Sequence, residues 1–259
     1  MKRALFLLIC STISCFLAYG QQDPYPYRFE GIFEEYGSNR LALIAKFLPF
    51  NCVVLEAGAH YGTDTINFVK QWPAGKILCF EPNPNAFTKL CENTKQFNNV
   101  QRYNLALGDH NGMSTFHVCY GTGGKSPEFE GASSLLPPSP AMEIHYQGPT
   151  IEVPCVILDE WCKQNKIDHI DFMWLDLEGF ELQALKNSPQ ILSTVKVIYT
   201  ETNFFPFRVG TTQYQTLKRF LEQSGFQLLS HWYREGLQGD AIFVKKEIYE
   251  AVFRGSNIK

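Results

Sequence analysis

The stretch VVLEAGAHYGTDT, Val53 to Thr65, runs from apolar residues through a glycine turn into residues that can open a helix. A strand that is apolar at successive positions is buried on both faces, which marks a parallel sheet covered by helices. The unit recurs along the chain. KILCFEP is a second such strand, closed by Pro82, and Asn83 caps the next helix with Pro84 at its first position. VQRYNLALG, DFMWLDLEG and VKVIYTE supply further strands, while Thr63 to Gln71, FELQALKNS and Thr212 to Ser224 read as helices. FQLLSHW and DAIFVKK form a closing pair of strands. The expected fold is α/β, with a parallel sheet covered on both faces.

Other segments break this alternation. Gly112 to Tyr120 reads as an added strand, and Gly121 to Gly148, rich in Gly, Pro and Ser, as a long surface loop of the kind that serves as a lid or stays disordered. Pro154 places IEVPCVILDEW at a sheet edge, because proline cannot donate to a ladder. Ser38 to Phe47 is expected to pack on the sheet as a helix.

In an open parallel sheet, ligands sit beyond the carboxyl ends of the strands. That rim carries Glu56 to Gly62, Glu81, Gly108-Asp109, Asp176 to Glu178, and Glu201. A solvated rim explains any one of these acids taken alone; acids at successive strand ends suggest a site. The turn Gly58-Ala59-His60-Tyr61-Gly62 lacks the middle glycine of GxGxxG, which lets a backbone approach a pyrophosphate, and Glu56 would repel a diphosphate. Such a turn suits a phosphate-free, cationic nucleoside, and Glu81 stands where an acid accepts hydrogen bonds from ribose hydroxyls. S-adenosylmethionine meets both conditions.

VVLEAGAHYGTDT, FEPNPNAF, NLALGD, GASSL and IDFMWLDLEGFELQAL followed by VKVIYTE, in this order, resemble the FkbM family of S-adenosylmethionine-dependent methyltransferases. The likeness runs from about Cys52 to Val244. It implies a Rossmann-like class I methyltransferase fold, a mostly parallel seven-stranded sheet with helices on both faces. It also implies roles. Glu56, Gly58, His60 and Gly62 would surround the methionine part of the cofactor, Glu81 the ribose, and Leu107 with Asp109 the adenine. Ser133 and Ser134 would close over it, and Asp176 would face the methyl group. Many relatives carry Asp-Val-Gly-Ala-Asn where this chain has Glu56-Ala57-Gly58-Ala59-His60. For transfer to a hydroxyl, Asp176 is the expected base, with Glu201 and His60 behind it. Glu178 is read either as a site residue or as a favourable charge at the start of a helix, and Glu181 as a solvated or capping residue. No metal is assigned, since Asp176 and Glu178 alone make an incomplete shell for a divalent cation. Phe204, Phe205 and Phe207 are read as core or as an apolar wall for an acceptor, either a glycan or another small molecule. The alternatives are an inactive binding module on the same fold and a nicotinamide-dependent oxidoreductase, against which the missing GxGxxG counts.

With 45% hydrophobic and 19% charged residues and a net charge of -3, the chain lacks the basic excess of a nucleic-acid binder. Residues 1–20 carry Lys2 and Arg3, then an apolar run, then Ala18-Tyr19-Gly20 as a cleavage pattern. A signal peptide cut before Gln21 is expected, with an uncleaved membrane anchor as the alternative, so the protein is expected to be exported or membrane-associated. The remaining organisation is an approach segment over 21–50, the methyltransferase domain over 51–246, and a solvated helical tail over 247–259. Of the cysteines outside the signal, Cys52, Cys79 and Cys155 lie in apolar runs and are expected as buried hydrophobes, although an exported chain invites disulfides; zinc is not expected. His110, His117, His145 and His169 show no ligand-like spacing.

Overall fold

Side chains of a strand alternate between faces, so an all-apolar strand needs cover on both. The computed structural model, which describes residues 27–31 and 40–255, supplies that cover. The elements are β1 (Tyr27–Gly31), α1 (Arg40–Ala45), β2 (Val53–Ala57), α2 (Thr63–Gln71), β3 (Lys76–Phe80), α3 (Pro84–Thr94), β4 (Val100–Tyr103), β5 (Ala106–Leu107), β6 (Gly112–His117), β7 (Thr150–Val156), α4 (Leu158–Gln164), β8 (Phe172–Leu175), α5 (Glu181–Lys186), α6 (Pro189–Thr194), β9 (Val197–Asn203), α7 (Tyr214–Gln223), β10 (Phe226–Arg234), β11 (Gln238–Lys245) and α8 (Lys246–Gly255). Leu55, Leu78, Met173 and Ile198 pack on one face of the sheet with Trp161, Leu185 and Leu217 from the helices. Their neighbours Val54, Ile77, Phe172 and Val197 pack on the other with Ile44, Phe68 and Leu90.

The main sheet has the order β1-β10-β11-β9-β8-β2-β3-β4. Strands β4, β3, β2, β8 and β9 are parallel neighbours, and β11 runs against both β9 and β10, so β10 shares the parallel direction. The seven expected strands are present and mostly parallel. An eighth, β1, comes from the approach segment and pairs antiparallel with β10 at the edge.

Four expectations need correction. VQRYNLALG is not one strand: after Tyr103 the chain leaves the main sheet, and β5 pairs with β7 in a small sheet of order β5-β7-β6. Strand β7 therefore lies in the middle of its sheet despite Pro154. Proline is tolerated because β5 covers only Cys155 and Val156, leaving Pro154 an unpaired side. The segment 121–148 is not a loose surface loop; Met142 and Tyr146 are buried with Cys119, Phe207 and Leu237. Finally, the tail is helical as expected, forming α8, but it is not solvated all round: Ile248, Tyr249 and Val252 pack against the core. Residues 1–26 lie outside the described residues, and with them the expected signal. No helix among the described residues is long and apolar enough to cross a membrane.

Candidate active site

Parallel pairing puts Ala57 opposite both Phe80 and Leu175, and Leu175 opposite Thr200. The next residue on each strand therefore falls in one row: Glu81, Gly58, Asp176, Glu201. Gly58 donates its N–H to Phe80 O at 3.0 Å, and Asp176 its N–H to Ala57 O at 3.0 Å, which fixes the row. Gly58 has φ +87°, and a Cβ there would stand 2.0 Å from Asp176 O, so only glycine permits this approach.

A cleft lies over Glu81, Gly58 and Asp176 of this row, about 530 Å³ of space when its open mouth is included. Gly58 and His60 line it from the turn, Phe80 and Glu81 from β3, Leu107 from β5, Glu130, Ser133 and Ser134 from the long segment, and Asp176, Leu177 and Phe180 from the turn after β8. Three of these residues, Glu81, Glu130 and Asp176, are acidic, and none of the lining residues is Lys or Arg. Glu81 accepts the N–H groups of His60 at 2.7 Å and Asn83 at 2.8 Å, while burial pushes its carboxyl up to about 7. Ser133 donates to Glu130 O at 2.6 Å and accepts Cys119 N–H at 3.0 Å. Ser134 reaches the carbonyls of Leu177 and Glu178 at 3.3 and 3.2 Å, tying the long segment to the β8 turn.

Asp176, Glu178 and Glu201 each bring a carboxylate oxygen within 4.8 Å of the others. Asp176 is the exposed member of the three, Glu178 is partly buried and Glu201 buried; loss of solvent on its cleft side, then the charge of Glu178, raises the Asp176 carboxyl above the usual range. Burial does the same for Glu201, with Glu178 and Asp176 adding to it. The Glu178 carboxyl is raised by burial and opposed by Arg208, whose Nε lies 3.9 Å away. Arg208 carries no sequence signal that marks it. It is buried, donates to the carbonyls of Leu136 and Ala132, and lies with its guanidinium 4.6 Å from the Tyr146 ring centre.

Several expected site residues stand elsewhere. Glu56 does not line the cleft: strand alternation sends it to the α2 face, where Thr65 Oγ1 donates to it at 2.5 Å and Cys79 Sγ at 3.2 Å. Gly62 opens α2 at φ +82°, and a Cβ there would meet Leu90 Cδ1 at 2.8 Å, so its role is close approach of α3. Asp109 is exposed and paired with His110 at 2.9 Å, because β5 carries the chain away to the small sheet. Glu178 does not open a helix, since α5 begins at Glu181; it holds a left-handed φ of 53° in the turn. Glu181 is buried rather than solvated, and its Oε1 accepts the N–H groups of Leu177 and Gly179 at 3.0 and 3.3 Å. Phe204 and Phe207 pack in the core, and neither lines the cleft.

His60 lines the cleft with φ 47°, its ring stacked 3.6 Å from that of Tyr61. Its Nε2 is buried with no hydrogen-bond partner among the described residues, and burial lowers the imidazole's proton affinity. An acidic cleft with this donor set and no lining cation fits a cationic nucleoside and disfavours a diphosphate. Together with the doubly covered, mostly parallel sheet, it defines a Rossmann-like class I methyltransferase. The Methyltransferase FkbM domain matches residues 56–228, and the chain belongs to that family. Its cofactor is S-adenosylmethionine.

The chain is 27% identical over 194 residues to the 2-O-methyltransferase NoeI of Sinorhizobium fredii (strain NBRC 101917 / NGR234), covering 73% of this chain and 78% of that protein. Among solved structures it is similar to M. capricolum TrmK in complex with S-adenosylhomocysteine, at 12% identity and a TM-score of 0.44, over 82% of this chain and 70% of that one. It is also similar to the N-terminal domain of EvdMO1 in the presence of S-adenosylhomocysteine and D-fucose, at 12% identity and a TM-score of 0.46, over 83% and 84% of the two chains.

Proposed function

We propose that the protein methylates a hydroxyl oxygen of a carbohydrate or another small metabolite. The observation that carries this reading is the cleft-facing Asp176 at the edge of a carboxylate cluster, on a rim without lining cations. The name of the relative NoeI, a 2-O-methyltransferase, supports the same acceptor atom. Bound S-adenosylmethionine supplies an activated methyl group. The chain supplies alignment and exclusion of water, effects worth up to ~7–11 kcal/mol in favourable cases. Asp176 takes the acceptor's proton, and a carboxylate held above its usual range is the stronger base for that task. Glu178 helps hold Asp176 in that state through its charge, Glu201 stands beside it in the carboxylate cluster, and His60 lines the same cleft.

Gly58, His60 and Asp176 are assigned to the methionine end, Glu81 to the ribose, Leu107 to the adenine, and Ser133 and Ser134 to the segment that closes the cleft. Glu56 and Gly62 serve the fold around it. Calorimetry with S-adenosylhomocysteine tests the reading: binding is expected, weakened on the order of 10-fold by Glu81→Ala, and absence of binding by correctly folded protein would sink it. We further propose that residues 1–20 direct the chain to the export machinery. Fractionation with N-terminal sequencing decides this, and a soluble cytosolic protein that begins at Met1 would overturn it.

A further inference from the structure

Leu175 and Thr200 pair across β8 and β9, and the residues that follow them are Asp176 and Glu201. Glu178 stands in the turn just beyond, so the sheet register itself gathers three carboxylates. One oxygen of each lies within 4.8 Å of the others. Like charges this close repel, and burial makes them costlier unless donors or a cation answer them. Donors are scarce. Among the described residues none hydrogen-bonds to the Asp176 or Glu178 carboxylate, and Glu201 Oε2 has only Asn203 Nδ2, at 3.4 Å.

Arg208 is a cation beside this cluster, 1% exposed. Its terminal nitrogens donate to the carbonyls of Leu136 and Ala132, and its buried Nε has no hydrogen-bond partner among the described residues. A charge-assisted Arg–carboxylate bond closes to about 2.7–2.9 Å, yet Glu178 Oε2 stops 3.9 Å from Nε. Glu178 thus keeps company with two like charges and falls short of the opposite charge next to it. That placement is favourable when a cation sits among the carboxylates. The ligand atoms are all oxygen, which suits a hard ion, and three carboxylates against one guanidinium leave two negative charges to match. We infer that Asp176, Glu178 and Glu201 bind one divalent cation of the Mg²⁺, Mn²⁺ or Ca²⁺ class. Three protein ligands leave positions for water and for an acceptor hydroxyl, whose proton the ion loosens. Asp176 keeps a second carboxylate oxygen to take that proton. This last role rests on the proposed methyl transfer; the cation site does not.

Titration of the full chain with Mn²⁺ alone, without cofactor, tests the site through loss of the free ion's electron paramagnetic resonance signal. One Mn²⁺ per chain is expected, displaced by excess Mg²⁺ or Ca²⁺. Glu178→Gln and Glu201→Gln are each expected to weaken binding by at least about 10-fold, since loss of even an outer-shell partner costs that much. Asp176→Asn, at an exposed position, is expected to do the same and keeps the test decisive if the buried Glu201→Gln does not fold. No saturable binding by the wild type would overturn the inference and leave shared protons as what holds the carboxylates together. Binding of one Mn²⁺ that is unchanged in Asp176→Asn and Glu178→Gln would put the ion elsewhere and overturn it as well. Because no cofactor is present, failure here is separate from failure of S-adenosylhomocysteine to bind.

Discussion

At position 60 this chain has His where the family resemblance leads one to expect Asn. The backbone there is left-handed, φ 47°, and outside glycine that region is enriched in Asn, Asp and His. The exchange preserves the turn. His60→Asn should therefore leave thermal stability nearly unchanged, whereas His60→Val, β-branched in the same conformation, should cost about 1–3 kcal/mol in urea unfolding. Asp176→Asn should lower kcat on the order of 10²-fold or more, beyond any loss of S-adenosylhomocysteine affinity, and full turnover would refute the base assignment. Because Asp176 works deprotonated and its carboxyl is raised, activity of the wild type should fall on acidification at a pH above the ordinary carboxylate range. Glu56 gives a separate, stability-linked effect. Burial raises its carboxyl from 4.5 to about 8, so the folded state holds its proton more tightly than the unfolded chain. That contribution is full below about pH 4.5 and fades as pH rises through about 8. Urea titrations from pH 5 to 8 should show Glu56→Gln losing less stability than the wild type.

Between elements, the decisive contacts are close approaches and clamps. Gly62→Ala would push a methyl group into Leu90 and Thr94 at a left-handed φ, an overpacking that should cost about 1–3 kcal/mol and be visible as a lower melting temperature. The segment 121–148 keeps its place through Arg208, which bonds carbonyls on both sides of Ser133 and Ser134. Arg208→Ala should speed cleavage of this segment in limited proteolysis. An unchanged digestion pattern would show that the packing of Met142 and Tyr146 alone suffices.

For the whole molecule, Cys52, Cys79, Cys91, Cys119, Cys155 and Cys162 are free thiols, and all but Cys91 are buried. Folded protein should react slowly with a thiol reagent and rapidly once denatured, and a reductant should leave the melting temperature unchanged. The sheet, its parallel core and the rim row were legible in the sequence because alternation, capping and glycine turns are local and periodic. Thr63–Gln71 forms as the helix expected, and Asn83 caps the next one through Asn85 N–H at 3.0 Å. Glu81, Asp176 and Glu201 follow from strand ends alone. Contacts between segments distant in the chain have no such local signature. Glu130 meets Tyr61 from a stretch without periodicity, Arg208 finds Glu178 across two turns, and Asp109 is carried off by a strand that changes sheets. The sequence by itself determined which strand ends carry acids, since that depends on neighbours along the chain. Only the tertiary structure decided which of those acids face the cleft, because face and enclosure depend on what packs from elsewhere.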